Sequence, residues 1–179
     1  MIIEDLLWMD DVDPLGLPCG YQGILEGNDA LYECEVSDVR YIRVLRTAAL
    51  IIDLRTGMCT DAGWGAPADV AVLVVRMMDD CQCAWIRDVI GSWVVTNDDG
   101  KWAVDIGQIG SPGHLKIQGS GASLYVGRVP GLPRQQPDLG ADAIEVIRDG
   151  WPTWQSEFTL LIEPQHANPH LIGGCFHKT

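Results

Sequence analysis

The sequence predicts an α+β protein that is mainly β, with an antiparallel sheet built as a meander of hairpins and one or two short peripheral helices. Three observations favour this class. Runs rich in valine and isoleucine, which suit strands, recur along the 179 residues. The segments between them are short, and short connections join antiparallel neighbours rather than parallel strands with crossover helices. Two segments also combine turn-forming residues with facing apolar patterns, so we expect the sheet to be curved or sandwich-like.

The N-terminal part is predicted to begin with a short amphipathic helix over residues 2–9, followed by a loop rich in turn-forming residues. The stretch from 31 to 55 is less uniform. Arg40, Arg43 and Arg46 recur every three residues, as they would on a helix face. Valine and isoleucine enrichment and the apolar run AALIIDL nevertheless favour strands in this stretch.

Three further elements are predicted farther along the chain. The continuous apolar run DVAVLVVRM at residues 69–77 indicates a central strand that is covered on both faces. Residues 141–150 are predicted to form a short helix that stops at Gly150. The side chains expected to face inward from this helix are Ala143, Ile144 and Ile147. The run EFTLLIE at residues 157–163 predicts a last strand.

The first hairpin is predicted over Trp93–Ile106, with the four residues NDDG as its loop. This loop places Val95 opposite Trp102 and Trp93 opposite Val104. These four side chains then form one apolar face, which we expect to be buried.

The second hairpin is predicted over residues 114–126, with GSGA as its loop. Here Ile117 faces Leu124 and Leu115 faces Val126. The agreement between small turn residues and a facing apolar pattern favours a hairpin in this segment as well.

Composition and charge indicate what kind of protein this is. We expect one domain over residues 1–179, with residues 165–179 as a C-terminal tail. The formal net charge of −13 would repel nucleic acid and anionic membranes and attract a basic protein partner. The N-terminus lacks the basic and apolar regions of a signal peptide, so we expect a cytoplasmic location with reduced cysteines. The oligomeric state is left open.

Three of the four histidines and one cysteine lie close to the C-terminus. His166 and His170 are four residues apart, and Cys175 and His177 are two apart, which makes a possible set of zinc ligands. Pro169 disfavours the helix that would bring the first two onto one face. The segment also offers few residues that could orient the ligands. We therefore predict no metal at these residues and no cofactor.

Motifs for catalysis are absent from the sequence. It contains no phosphate-binding GxxxxGK[ST] loop, no GxSxG nucleophile elbow and no HExxH zinc motif. Adjacent aspartates do not make a catalytic pair, because neighbouring side chains of a strand point to opposite faces. Asp98 and Asp99 are explained by the first hairpin turn. We therefore predict no catalytic residues and a protein that is not an enzyme.

A second acidic group has no such explanation. Asp10, Asp11 and Asp13 follow closely after Trp8. They form either a solvated loop or the acidic rim of a binding surface on which the tryptophan is the aromatic anchor. These four residues are the candidate partner-binding site.

From Leu115 to Phe158 the sequence resembles a family of small, uncharacterised bacterial proteins. In that family a strand ending in VGxVPGL is followed by a proline-rich link, a short acidic helix and a strand that begins with WxSxF. The matching positions are Val126, Gly127, Val129, Pro130, Gly131, Leu132, Trp154, Ser156 and Phe158. The segment LRT…WGAPADVAVLVVR resembles the same family more loosely. Such families are similar in size, acidity and β-rich layout to immunity proteins that neutralise bacterial toxins, and the resemblance carries over no catalytic residues.

Three functions are compatible with these observations. The first is a non-enzymatic binding protein, an immunity-type inhibitor of a basic bacterial toxin. The second is a carrier of a small apolar ligand, held in a β pocket lined by tryptophans. The third is a metal-dependent enzyme that uses the terminal histidines.

Overall fold

The computed structural model describes residues 1–8, 31–55, 68–83, 89–110, 112–138 and 140–161. Within these ranges the chain forms two antiparallel sheets, so the predicted class of mainly β, α+β protein is confirmed. The strands are β1 (Glu35–Ile42), β2 (Thr47–Asp53), β3 (Val70–Arg76), β4 (Asp80–Cys83), β5 (Ile90–Asp98), β6 (Lys101–Gln108), β7 (His114–Gly119), β8 (Gly121–Arg128) and β9 (Thr159–Leu160).

The larger sheet has five strands in the order β1-β2-β3-β8-β9. Every residue of β2 and β3 is buried, because this sheet is covered on both faces. Its inner face packs against the smaller sheet, and its outer face packs against side chains such as Ile3, Leu6 and Phe158. The continuous apolar run predicted as a central strand is therefore confirmed as β3. The last strand lies where it was predicted, although it is only two residues long.

The smaller sheet has the order β4-β7-β6-β5 and contains the first predicted hairpin, β5–β6. Its four apolar side chains are buried as predicted, but the predicted pairing is wrong by two residues. Val95 faces Val104, and Trp102 faces Asn97. The turn consists of Asp99 and Gly100 alone, at φ values of 48° and 82°, and such two-residue turns suit the twist of a hairpin. A shift of two residues keeps each side chain on its own face.

The prediction of the second hairpin is wrong. β7 pairs with β4 and β6 in the smaller sheet, whereas β8 pairs with β3 and β9 in the larger one. The chain thus changes sheets at Ser120, whose N–H donates to Arg76 O at 3.2 Å. The corner needs glycine at position 119, because a Cβ there would lie 2.5 Å from the same oxygen, which is too close for two atoms that are not bonded. The apolar alternation of Leu115, Ile117 and Leu124 faces the shared core from two different sheets.

Two 3₁₀ helices are described. The first covers Ile3–Leu7 and buries apolar side chains against the outer face of the larger sheet, so the predicted amphipathic helix at the N-terminus is confirmed. The second covers Arg43–Leu45 and connects β1 to β2. Of the three arginines spaced as on a helix face, only Arg43 lies in it, because Arg40 belongs to β1 and Arg46 follows the helix. The strands on both sides agree with the β prediction.

The helix α1 covers Ile144–Asp149 and ends at Gly150, as predicted. Its predicted orientation is wrong, because Ala143 and Ile144 are exposed. The outer face of the larger sheet is already covered by the first 3₁₀ helix and by Trp154 and Phe158, which leaves α1 at the periphery. The Ile147 side chain lies outside the described part. No helix of the described ranges is long and apolar enough to span a membrane.

A buried ion pair at the end of β2 fastens α1 to the larger sheet. Arg55 Nε lies 2.9 Å from Asp53 Oδ1, and Arg55 Nη2 lies 2.5 Å from Asp53 Oδ2. Both side chains are buried. The same guanidinium donates from Nη1 to Pro133 O and from Nη2 to Gly150 O, each at 2.8 Å. The segments before and after α1 are therefore bound to one fork-shaped group.

Replacing Gly119 by alanine should destabilise the fold. The added Cβ would press on the Arg76 carbonyl and on Val75 Cγ1, so the corner between the sheets has to shift. We expect the free energy of unfolding to fall by about 1–3 kcal/mol, as in overpacked cores. Urea denaturation followed by tryptophan fluorescence measures it.

Gly140→Ala is the matched control, because a Cβ at Gly140 meets only Asp138 Oδ1 at 3.4 Å. Its stability should stay within about 0.5 kcal/mol of the wild type. Equal losses in the two variants would contradict the account of the corner.

Candidate functional site

Trp8 is the one residue of the predicted partner-binding site that lies in the described part. It follows the first 3₁₀ helix, and its N–H donates to Asp5 O at 3.1 Å. Its side chain is 61% exposed, so Trp8 is not a core residue. Asp10, Asp11 and Asp13 lie outside the described residues, and their role in an acidic rim stays a prediction.

The helix that carries Trp8 is fixed by polar contacts at its start. Glu4 N–H donates to Trp154 O at 2.9 Å, and the Glu4 carboxylate pairs with Arg40 at 2.6 Å. The Arg40 guanidinium lies 4.7 Å from the centre of the Trp154 ring. Trp154 in turn donates from Nε1 to Asp38 Oδ2 at 2.7 Å. An exposed aromatic side chain therefore projects from a rigid support, which lowers the entropy cost of binding through it.

Trp8 lies toward the end of the larger sheet where β3 finishes. Arg76, the last residue of β3, is buried and donates from Nη2 to Leu6 O at 3.1 Å. The same guanidinium also donates to Ser123 Oγ and to Tyr125 Oη. These contacts hold the C-terminal turn of the 3₁₀ helix against β3 and β8.

Two further apolar side chains are exposed at this end. Val44, in the second 3₁₀ helix, is 93% exposed, and Met77, directly after β3, is 53% exposed. The connections that carry them are joined, because Met78 N–H donates to Arg46 O at 2.7 Å. We call Trp8, Val44 and Met77 the end surface. Val44 and Met77 could not be selected from the sequence, because their only signal there is an apolar residue beside a turn.

The outer face of the smaller sheet carries an ionic cluster. Asp105 lies 3.2 Å from His114 Nδ1 and 3.0 Å from Lys116 Nζ. Burial raises the pKa of the Asp105 carboxyl, but the hydrogen bonds and charges of Lys116 and His114 outweigh this effect and hold the pKa below its ordinary value. None of the hydrogen bonds described for His114 joins it to a serine, threonine or cysteine, which a base that activates a nucleophile would need.

The four residues considered as zinc ligands, His166, His170, Cys175 and His177, lie outside the described residues. Within the described ranges, no three or more histidine, cysteine, aspartate or glutamate side chains are grouped so that they could hold a metal ion. Cys34 is buried, and the Cys81 thiol donates to Tyr41 Oη at 3.1 Å.

Two tryptophans of the smaller sheet are core residues. Trp93 and Trp102 are buried in the apolar cluster that fills the space between the two sheets. Two hollows of the described part lie outside the sandwich, beside the proline-rich link and α1, and Trp151 lines one of them. The carrier of an apolar ligand stays a prediction.

Comparison with known proteins gives no relative. No protein-family model, no curated protein and no solved structure matches the chain significantly. The resemblance to immunity-type proteins therefore stays a prediction.

Replacing Asp105 by asparagine should change how stability depends on pH. A carboxyl with a lowered pKa stabilises the fold above its unfolded pKa, and this contribution is lost as pH falls through the folded pKa. Asp105→Asn should therefore be less stable than the wild type at pH 7 by at most about 1 kcal/mol, because the group is well exposed. The gap should close below about pH 4. Urea denaturation over a pH series measures it, and a gap that is independent of pH would contradict the assignment.

Asp69 provides a control, because the pH dependence of stability expected for its replacement has the opposite sign. Its burial raises the pKa of the carboxyl, in spite of the Val129 hydrogen bond and the nearby charges of Arg128 and Arg55. The raised pKa means that stability falls as pH rises through the folded pKa. Asp69→Asn should therefore gain stability relative to the wild type as pH rises from about 4 to 7.

Proposed function

We propose that this protein is a non-enzymatic binding protein of the immunity type, which caps a basic bacterial toxin. The observation that carries the proposal is Trp8, a large aromatic side chain that is 61% exposed on a rigid support. Tryptophan is the residue most enriched among the side chains that dominate binding energy at protein interfaces. Val44 and Met77 extend the apolar area at the same end of the larger sheet.

The charge of the chain supports a basic partner. The formal net charge is −13, and acidic residues outnumber basic ones by 25 to 12. A field of this sign accelerates the encounter with a positively charged protein and disfavours acidic competitors. Trp8 would then supply contact area, and Asp10, Asp11 and Asp13 would attract the basic partner during the encounter.

Neutralising the N-terminal acidic residues should slow association. The partner is a basic protein captured from the native host with the purified wild-type protein as bait. In Asp10→Asn/Asp11→Asn/Asp13→Asn we expect the association rate constant for this partner to fall at least about threefold at low salt, with a smaller change in dissociation. Surface plasmon resonance at several salt concentrations measures both rates.

The matched control is Asp80→Asn/Asp98→Asn/Asp99→Asn, which removes the same charge from exposed positions on the smaller sheet. Equal slowing in the two triple variants would mean that only net charge matters. An unchanged rate in the N-terminal variant at low salt would exclude this acidic segment as the site.

Truncating Trp8 should speed dissociation instead. We expect Trp8→Ala to shorten the residence time of the same partner by about tenfold or more, the loss typical of a dominant interface residue. Its free energy of unfolding should stay within about 0.5 kcal/mol of the wild type, because the side chain is mostly exposed. Faster dissociation of Trp8→Ala, with thermal stability equal to that of the wild type, would support the role of Trp8 as an anchor. Capture of no basic protein at all would contradict the proposed function.

A further inference from the structure

The helix α1 presents apolar side chains to solvent. Ile144 is 72% exposed and Val146 is 47% exposed. β-branched residues are poorer helix formers than glutamine, lysine or glutamate, so local helix stability does not favour them at exposed positions. Residues two apart lie on different sides of a helix, so Ile144 and Val146 do not form one face, and of the two only Val146 lies at the hollow beside α1.

Val146 also lines a hollow between α1 and the proline-rich link. The opposite wall is formed by Pro133 and Pro137, and Arg134 and Asp142 lie at the same hollow. Arg55 binds Pro133 O on one side and Gly150 O on the other. Both walls are thus fixed to the buried ion pair, and a preorganised surface loses little entropy on binding.

Carboxylates surround these apolar side chains. Asp138, Asp142 and Glu145 are exposed and lie within eight residues of one another. Asp142 accepts a hydrogen bond from Asp138 N–H at 2.8 Å, which orders the loop before the helix. An apolar hollow with carboxylates nearby complements a segment in which apolar side chains alternate with lysine or arginine.

We infer that α1 and the adjoining proline-lined hollow form a docking surface for an amphipathic basic segment of a protein partner. The inference rests on the proposed function in requiring a basic partner, but it concerns a different part of the molecule. α1 is fastened where β2 ends and β3 begins, since Asp53 faces Val70. Trp8 lies toward the opposite end of β3, beside Arg76. The two surfaces can therefore be tested separately.

The test uses the full chain, labelled with ¹⁵N, and two synthetic peptides of equal charge. One peptide is made of leucine and lysine, and in the other every leucine is replaced by serine. At low salt the leucine–lysine peptide should shift the amide resonances of residues 133–137 and 142–149 most. The serine–lysine peptide should bind at least about tenfold more weakly, because it cannot bury apolar area.

Val146→Gln should weaken the binding of the leucine–lysine peptide by about fivefold or more while retaining the helix, because glutamine is the better helix former. Val44→Gln is the matched control, since Val44 is more exposed than Val146 and lies at the other end of the sheet. It should keep its affinity within about twofold.

Any of these results would overturn the inference: no amide shifts at all, shifts spread over every exposed carboxylate, or equal affinity in the glutamine variant and the wild type. Shifts confined to residues around Trp8 would also overturn it, and they would leave the proposed function standing.

Discussion

The buried pair between Asp53 and Arg55 is the interaction on which the outer face of this protein depends. A charge inside a protein is costly unless it is paired and hydrogen-bonded, and removing one partner of a buried pair typically costs about 3–5 kcal/mol. Here the carboxylate takes two donors of the guanidinium fork. The carbonyl oxygens of Pro133 and Gly150 accept further hydrogen bonds from the same group. The cost of burying two charges is thus offset by contacts that also fix a long, otherwise irregular segment.

The layers of the fold explain how exposed aromatic and apolar side chains can lie on a rigid support. The larger sheet is apolar on both faces, and its outer face needs a cover. The first 3₁₀ helix and the segment around Trp154 and Phe158 supply it, and they are joined by backbone hydrogen bonds such as Ile3 N–H to Ser156 O at 3.0 Å. Trp8 and α1 project from the two ends of this cover. Their exposure follows from the layer beneath them rather than from loose packing.

The local features of this fold could be predicted from the sequence better than the pairing of its strands. A continuous apolar run is enough to indicate a strand covered on both faces, and β3 is such a strand. Alternation shows which side chains share a face, but it does not say which strand lies alongside. For this reason the buried face of β5–β6 was predicted while its register was not. The apolar pattern of β7 and β8 reads as a hairpin although they belong to different sheets. A corner between two sheets and a hairpin turn use the same small residues. Here only the close approach of Gly119 to the Arg76 carbonyl distinguishes the corner from a hairpin.

The residues of the candidate site show the same difference between what is local in the sequence and what depends on distant parts of the chain. Trp8 was selected because the three aspartates after it have no turn role, and the structure adds that Trp8 is exposed. Val44 and α1 could not be selected, since their exposure depends on what covers the sheet elsewhere. Ile144 in particular has the pattern of an inward residue.

Amide hydrogen exchange in Arg55→Lys tests most directly whether the buried pair fixes the cover. Lysine keeps the positive charge but cannot form the fork that binds Asp53, Pro133 and Gly150 together. If the account is right, amides of α1 and its flanking residues lose protection by at least about tenfold, while amides of β5 and β6 in the smaller sheet exchange as in the wild type. Equal loss of protection throughout both sheets, or none in α1, would contradict it.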